Sequence, residues 1–191
     1  MQEVALVLLS TVLVNNVLLT QTLGVSALWG MSSRLSGAAG LAAATSALLL
    51  LSAGANHILY HWLLMPLGIQ YLALPVFVLA IASITRGLVL GSRRLDPRLH
   101  RNLKALEPLL MANAAVLGLT LLNAADTASL ALALLRALGT ALGFALVLVL
   151  FAGLREQLTA AAVPLPFRGP AIAMISAGLM ALAFMGFVGM V

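Results

Sequence analysis

Apolar residues run through this chain in long blocks, separated by short polar or turn-forming stretches. The blocks cover residues 4–23, 37–59, 71–90, 106–122, 130–154 and 171–190. None shows the two-residue alternation of a half-buried strand, and most approach the ~20 residues that a helix needs to cross a hydrocarbon core. Pro66 and Gly68 divide an uncharged stretch, residues 35–85, that is too long for one crossing. Pro164, Pro166, Gly169 and Pro170 separate the last two blocks, because clustered proline and glycine end helices. The pattern predicts an all-α integral membrane protein with six transmembrane helices and no separate soluble domain.

Composition agrees. The 191 residues are 63% hydrophobic and 8% charged, with a mean hydropathy of +1.14. A soluble domain carries about 25% charged residues, so that class is excluded, and disordered, collagen-like and disulfide-rich secreted classes go with it. The chain has no cysteine. It therefore supplies no disulfide, thiolate metal site, haem attachment or catalytic thiol.

Charge sets the orientation. The cations lie in the connections after blocks one, three and five: Arg34; Arg86, Arg93, Arg94, Arg98, Arg101 and Lys104; Arg155 and Arg168. Only Arg136, of ten cations, falls on the other side. Cytoplasmic loops are enriched in Lys and Arg, so both termini are expected outside. The start, MQEV, is acidic and lacks a basic n-region, so the first block reads as a retained span rather than a signal peptide. The basic loop at 93–104 has a second reading as a site for RNA or an acidic partner. A juxtamembrane cation cluster fits topology and anionic lipid better, so lipid and not nucleic acid is the expected contact.

That loop divides the chain into two three-span halves, residues 1–98 and 99–191. An odd number of crossings inverts the second half relative to the first, an arrangement that places functional sites near the midplane. A sequence echo supports it: LVNNVLLTQTLG ends at Gly24 and LLMANAAVLG ends at Gly118. An amide in hydrocarbon needs a partner, and irregular backbone is tolerated there only inside protein or beside a cavity. Asn15, Asn16 and Asn113 are therefore expected to face another helix or to cap a broken one. Asn16 and Asn113 are expected at similar depths. The bland alternative is a simple interhelical hydrogen bond.

Other polar features say less. Gly139 and Gly143 form a GxxxG pair, read as packing within one subunit, and Gly178, Gly186 and Gly189 punctuate the last block. His57 and His61 are one turn apart beside Tyr60 and Trp62, which suits an interfacial aromatic belt better than a metal or proton site. There is no phosphate loop, nucleophile triad or carboxylate pair. Nothing resembles a self-contained active site.

Three segments carry a more specific likeness: LVNNVLLTQTLG, ANAAVLG and the run VPLPFRGPAIAMISAGLMALAFMGFVG. Together they resemble the RnfA/NqrE family, membrane subunits of the Rnf electron-transport complex and of sodium-pumping NADH:quinone reductase. The likeness spans essentially the whole chain and is nearest the A-type member of Rnf. It implies a bacterial inner-membrane subunit paired with a homologous sister of the RnfE/NqrD type. It also implies a 2Fe-2S cluster shared by the pair, with cysteines from LGLC-type and TNC-type motifs, and electron flow coupled to sodium or proton movement.

This chain departs from the family pattern at the chemistry. The family cysteine positions fall on Ser26 and Ala114, and a glutamate expected near the inner end of span three falls on Val89, while Arg86 replaces a neutral position. Serine is a poor cluster ligand and alanine is none, so no cluster is expected to be held by this chain alone. Three readings follow. The first is a membrane subunit of an ion-translocating oxidoreductase. The second is a clusterless scaffold packing a sister subunit, and the third is a small independent transporter.

Overall fold

The computed structural model describes residues 7–24, 26, 35–126, 129–161 and 163–187. Among them there is no strand. Three helical runs are long and apolar enough to span a membrane: Leu35–Leu64, Gln70–Arg94 and Leu130–Thr159. A fourth span is made if two shorter helices, Pro97–Met111 and Ala114–Ala125, count as one crossing bent by 55°. Helix Pro170–Met185 is apolar but shorter.

We number the α-helices α1 (Leu35–Leu59), α2 (Ala73–Leu95), α3 (Pro97–Met111), α4 (Ala114–Ala125), α5 (Leu130–Ala160) and α6 (Pro170–Met185). The α1 helix continues through a π-helical turn, Tyr60–Leu64, and stops where Pro66 and Gly68 stand. Gly68 takes φ +68°, a left-handed conformation suited to glycine.

One expectation needs correction. The basic stretch at 93–104 is not an open loop. Helix α2 runs through Arg93 and Arg94, turns at the single residue Asp96, and α3 starts at Pro97. The Asp96 carboxylate accepts the Arg98 backbone N–H (2.8 Å), and proline is tolerated in the first turn because its missing N–H would have no helical partner. The fourth apolar block, 106–122, breaks at Ala112–Asn113, and Asn113 caps the second piece, one of the two uses expected of it. The first block, 4–23, begins outside the described residues. It is helical to Val14 through a π-turn, Ser10–Val14, and irregular from Asn15. Residues 188–190 of the last block also lie outside them.

The core is the antiparallel seam between α1 and α5. Ser46 Oγ donates to the Ala141 carbonyl (3.3 Å), and Gly54 lies opposite Leu134. Both helices bury small side chains, Ala38, Ala42 and Ala53 on α1 and Ala133, Ala137 and Ala141 on α5. In lipid no water is released by bringing two apolar helices together, so close packing of small residues supplies much of the attraction. Phe144 and Phe151 fill the space beside them. Leu79 and Leu142 point outward, as lipid-facing or partner-facing positions should.

Candidate functional site

The two asparagine motifs meet. In the first, Asn16 stands one residue past Asn15, the C-cap of the π-turn: its Nδ2 donates to the Val12 carbonyl (2.9 Å) and its Oδ1 accepts the Leu18 N–H (3.1 Å). The Asn16 carbonyl then accepts from Leu19 and Thr20. In the second, Asn113 Oδ1 accepts the Ala115 N–H (3.0 Å), and the Asn113 carbonyl accepts from Val116 and Leu117. Each side chain thus bonds the amide two residues on, and each carbonyl bonds those three and four residues on. Both asparagines are buried. An amide side chain suits this place because it satisfies backbone groups that no helix can satisfy at a break. Asn15, by contrast, is exposed and donates to Ser10 Oγ (3.0 Å).

Glycine closes the gap between the motifs. Gly24 takes φ +83°, and a Cβ there would lie 3.1 Å from Asn113 Oδ1, 3.1 Å from Phe144 and 3.2 Å from the Ala115 methyl. Any side chain would push the two breaks apart. A Cβ on Gly118 would run into Leu23. The first motif also crosses α5 on its GxxxG face: a Cβ on Gly139 would meet Thr11 at 2.8 Å, and one on Gly143 would meet Asn16 Nδ2 at 2.8 Å. Packing within one chain is what that pair does. Gly178 meets nothing within 4 Å, and Gly189 lies outside the described residues.

Ser26 and Ala114 flank this junction, two residues beyond Gly24 and one beyond Asn113. Both are exposed in the isolated chain. As a donor set they offer one hydroxyl and one methyl, so the residues present do not fit an iron–sulfur cluster. No group of three His, Cys, Asp or Glu side chains suited to a metal occurs among the described residues. The His57 and His61 rings stack at 4.2 Å, and His61 Nδ1 meets the His57 carbonyl at 3.1 Å. Trp62 beside them is exposed.

Val89 is buried, and its carbonyl meets His100 Nδ1 at 2.9 Å, tying α3 back onto α2. Arg86 pairs with Glu107 at 2.8 Å across the same hairpin. This partner explains how a charge is accommodated inside the end of a spanning helix.

Sequence reasoning missed a cavity of about 800 Å³ beside the first motif, with polar side chains set in a largely apolar wall. Asn15, Gln21, Asn123, Asp126, Arg136 and Thr140 line it. Arg136 pairs there with Asp126 at 2.6 Å. Thr140 was visible as a polar residue within an apolar block and Asn123 as the residue just past the end of one, but nothing in their spacing linked them to the first motif.

A family model described as "Rnf-Nqr subunit, membrane protein" matches residues 4–191. The chain is 46% identical to the A-type subunit of the ion-translocating oxidoreductase complex of Alkalilimnicola ehrlichii, over 100% of this chain and 99% of that one. It is 44% identical to the protein of the same name from Thioalkalivibrio sulfidiphilus, over the full length of both. The Pseudoalteromonas translucida protein of that name is 45% identical, over 100% of this chain and 99% of its own.

Proposed function

Because the chain belongs to the Rnf-Nqr family of membrane subunits, we propose that it is the A-type membrane subunit of an ion-translocating oxidoreductase complex. It contributes there to electron transfer across the membrane coupled to ion transport. The observation that carries this reading is the meeting of the two asparagine breaks at Gly24. Two matched interruptions of apolar segments, brought together and flanked by exposed positions, are what a site shared with a second subunit requires.

The matched hydrogen bonds of Asn16 and Asn113 also support two inverted three-helix repeats, residues 1–98 and 99–191. On this reading the protein is a multi-pass protein of the bacterial inner membrane with six crossings and both termini outside. The first block and the bent pair α3–α4 are the equivalent broken spans, each near the midplane at its asparagine. The partner across the exposed Ser26 and Ala114 is a homologous sister subunit of the RnfE/NqrD type.

A second reading rests on the same two residues. Without thiolates at Ser26 and Ala114, this chain packs against the sister subunit, leaving electron transfer to groups held elsewhere. Affinity purification of the tagged chain from its native membrane tests the assembly: recovery of large flavin-bearing subunits supports both readings. Recovery of the chain alone, under conditions that keep a related complex intact, removes both in favour of an independent transporter.

A further inference from the structure

Among the described residues seven side chains have buried polar atoms with no protein partner; besides His57 Nδ1 and Asn113 Nδ2, five are hydroxyls and amides on the packed helices α1, α4 and α5. On α1 they are Thr45, Ser52 and Asn56, each no more than 1% exposed. On the helices packed against α1 are Thr140 of α5 and Asn123 of α4, each 2% exposed. Ser52 and Asn56 are one helical turn apart, and Thr45 lies two turns before Ser52, so all three share a face. The contacts of Ser46 with Ala141 and of Gly54 with Leu134 fix the antiparallel register of α1 on α5. That register sets Asn56 beside the first turn of α5, where Asn123 Nδ2 reaches the Ala133 carbonyl at 3.4 Å. It sets Thr45 beside Gly143, the level of Asn16. At about 1.5 Å per residue, Asn56 to Thr45 spans roughly 16 Å, close to half of a ~30 Å hydrocarbon core.

One end of this ladder is open. Asn123 and Thr140 line the 800 Å³ cavity whose rim carries Asp126 and Arg136. Their unpartnered atoms, Asn123 Oδ1 and Thr140 Oγ1, are both buried. At the other end Asn113 Nδ2, at the junction of the breaks, is also buried without a partner. Buried polar atoms are almost always hydrogen-bonded, and one or two orphans would be ordinary. A run of them leading from an open cavity, with Asn123 and Thr140 in its otherwise largely apolar wall, to an asparagine break calls for a ligand. Apart from the His57 imidazole the groups are neutral hydroxyls and amides, which both donate and accept, and the Asp126–Arg136 pair at the rim is self-neutralising. That chemistry matches water.

We propose that the chain contains an aqueous half-channel, opening at the membrane face that carries Asp126 and ending at the Asn16–Asn113 junction. It brings water to the middle of the membrane from one side only, whatever redox group the complex holds.

The absence of cysteine makes the test clean, because each introduced thiol is the only one in this chain. Thr140→Cys, Ser52→Cys and Ala125→Cys (at the rim) are made in the assembled complex, with Leu79→Cys on an outward apolar face as the dry reference. Membranes are exposed to silver ion, which is small enough to follow water, and free thiols on this chain are then counted with a maleimide after denaturation. Blocking of Thr140→Cys and Ser52→Cys within about tenfold of the Ala125→Cys rate, and at least a hundredfold faster than Leu79→Cys, is expected. Rates at the Leu79→Cys level while Ala125→Cys reacts would overturn the proposal. Thr140→Val gives an independent reading should a cysteine variant not assemble. A hydrated wall loses a water contact and the unfolding midpoint falls, whereas a dry wall loses an unpaired hydroxyl and the midpoint rises. A rise contradicts the half-channel.

Discussion

Replacing Gly143 by alanine tests the packing that holds the first asparagine in place. The new methyl would lie 2.8 Å from Asn16 Nδ2, 3.0 Å from the Val12 carbonyl oxygen and 3.1 Å from Val12 Cα. Two of these three atoms are backbone, so the π-turn itself has to retreat. Such overpacking costs about 1–3 kcal/mol. Alanine is better than glycine inside a helix by about 1 kcal/mol, which offsets part of it. Gly153, on the same helix, supplies the control: a Cβ there meets nothing within 4 Å. Gly153→Ala should therefore gain up to about 1 kcal/mol from propensity alone. The two variants should differ by about 1–3 kcal/mol, the overpacking term with propensity cancelled. Unfolding in mixed detergent micelles, followed by helical circular dichroism, measures both. Equal stability of the two variants would refute the close crossing of Thr11–Asn16 over the GxxxG face.

Three further outcomes follow from individual contacts. Asn113→Ala removes the acceptor for the Ala115 N–H and should cost about 1 kcal/mol, whereas Asn113→Ser, which can still cap, should recover most of it in the same unfolding assay. A double-mutant cycle on Arg86→Gln and Glu107→Gln should give a favourable coupling of at least about 0.5 kcal/mol, set by the 2.8 Å contact, and no coupling would remove this pair as a tie between α2 and α3. Reporter fusions at Lys104 and Val191 should read cytoplasmic and external respectively, and a cytoplasmic C-terminus would remove the inverted repeat.

The readable parts of this fold were those governed by composition over long windows. The α1, α2 and α5 helices stand close to where the apolar blocks 37–59, 71–90 and 130–154 placed them, because ~20 apolar residues without a breaker leave few alternatives in lipid. The asparagine echo was legible for a related reason: a costly amide in an apolar run needs a local use, and capping a break is one. Helix α3 was hidden because its cations dominated the reading, although Asp96-Pro97 is an N-terminal helix signal in its own right. The zone of Thr45, Ser52, Asn56, Asn123 and Thr140 was beyond the sequence. It depends on the register of α1 against α5, which is set by contacts distant along the chain.

The central claim is that this chain holds the frame of an A-type subunit while its own side of the shared site carries no thiolate. Iron and acid-labile sulfide analysis of the purified complex, read together with electron paramagnetic resonance, tests it most directly. The account predicts no two-iron signal assignable to the junction beside Ser26 and Ala114, and requires both Ser26→Cys and Ala114→Cys before one appears. A stoichiometric two-iron cluster there in the unmodified complex would contradict it, showing that other ligands take the place of the missing cysteines.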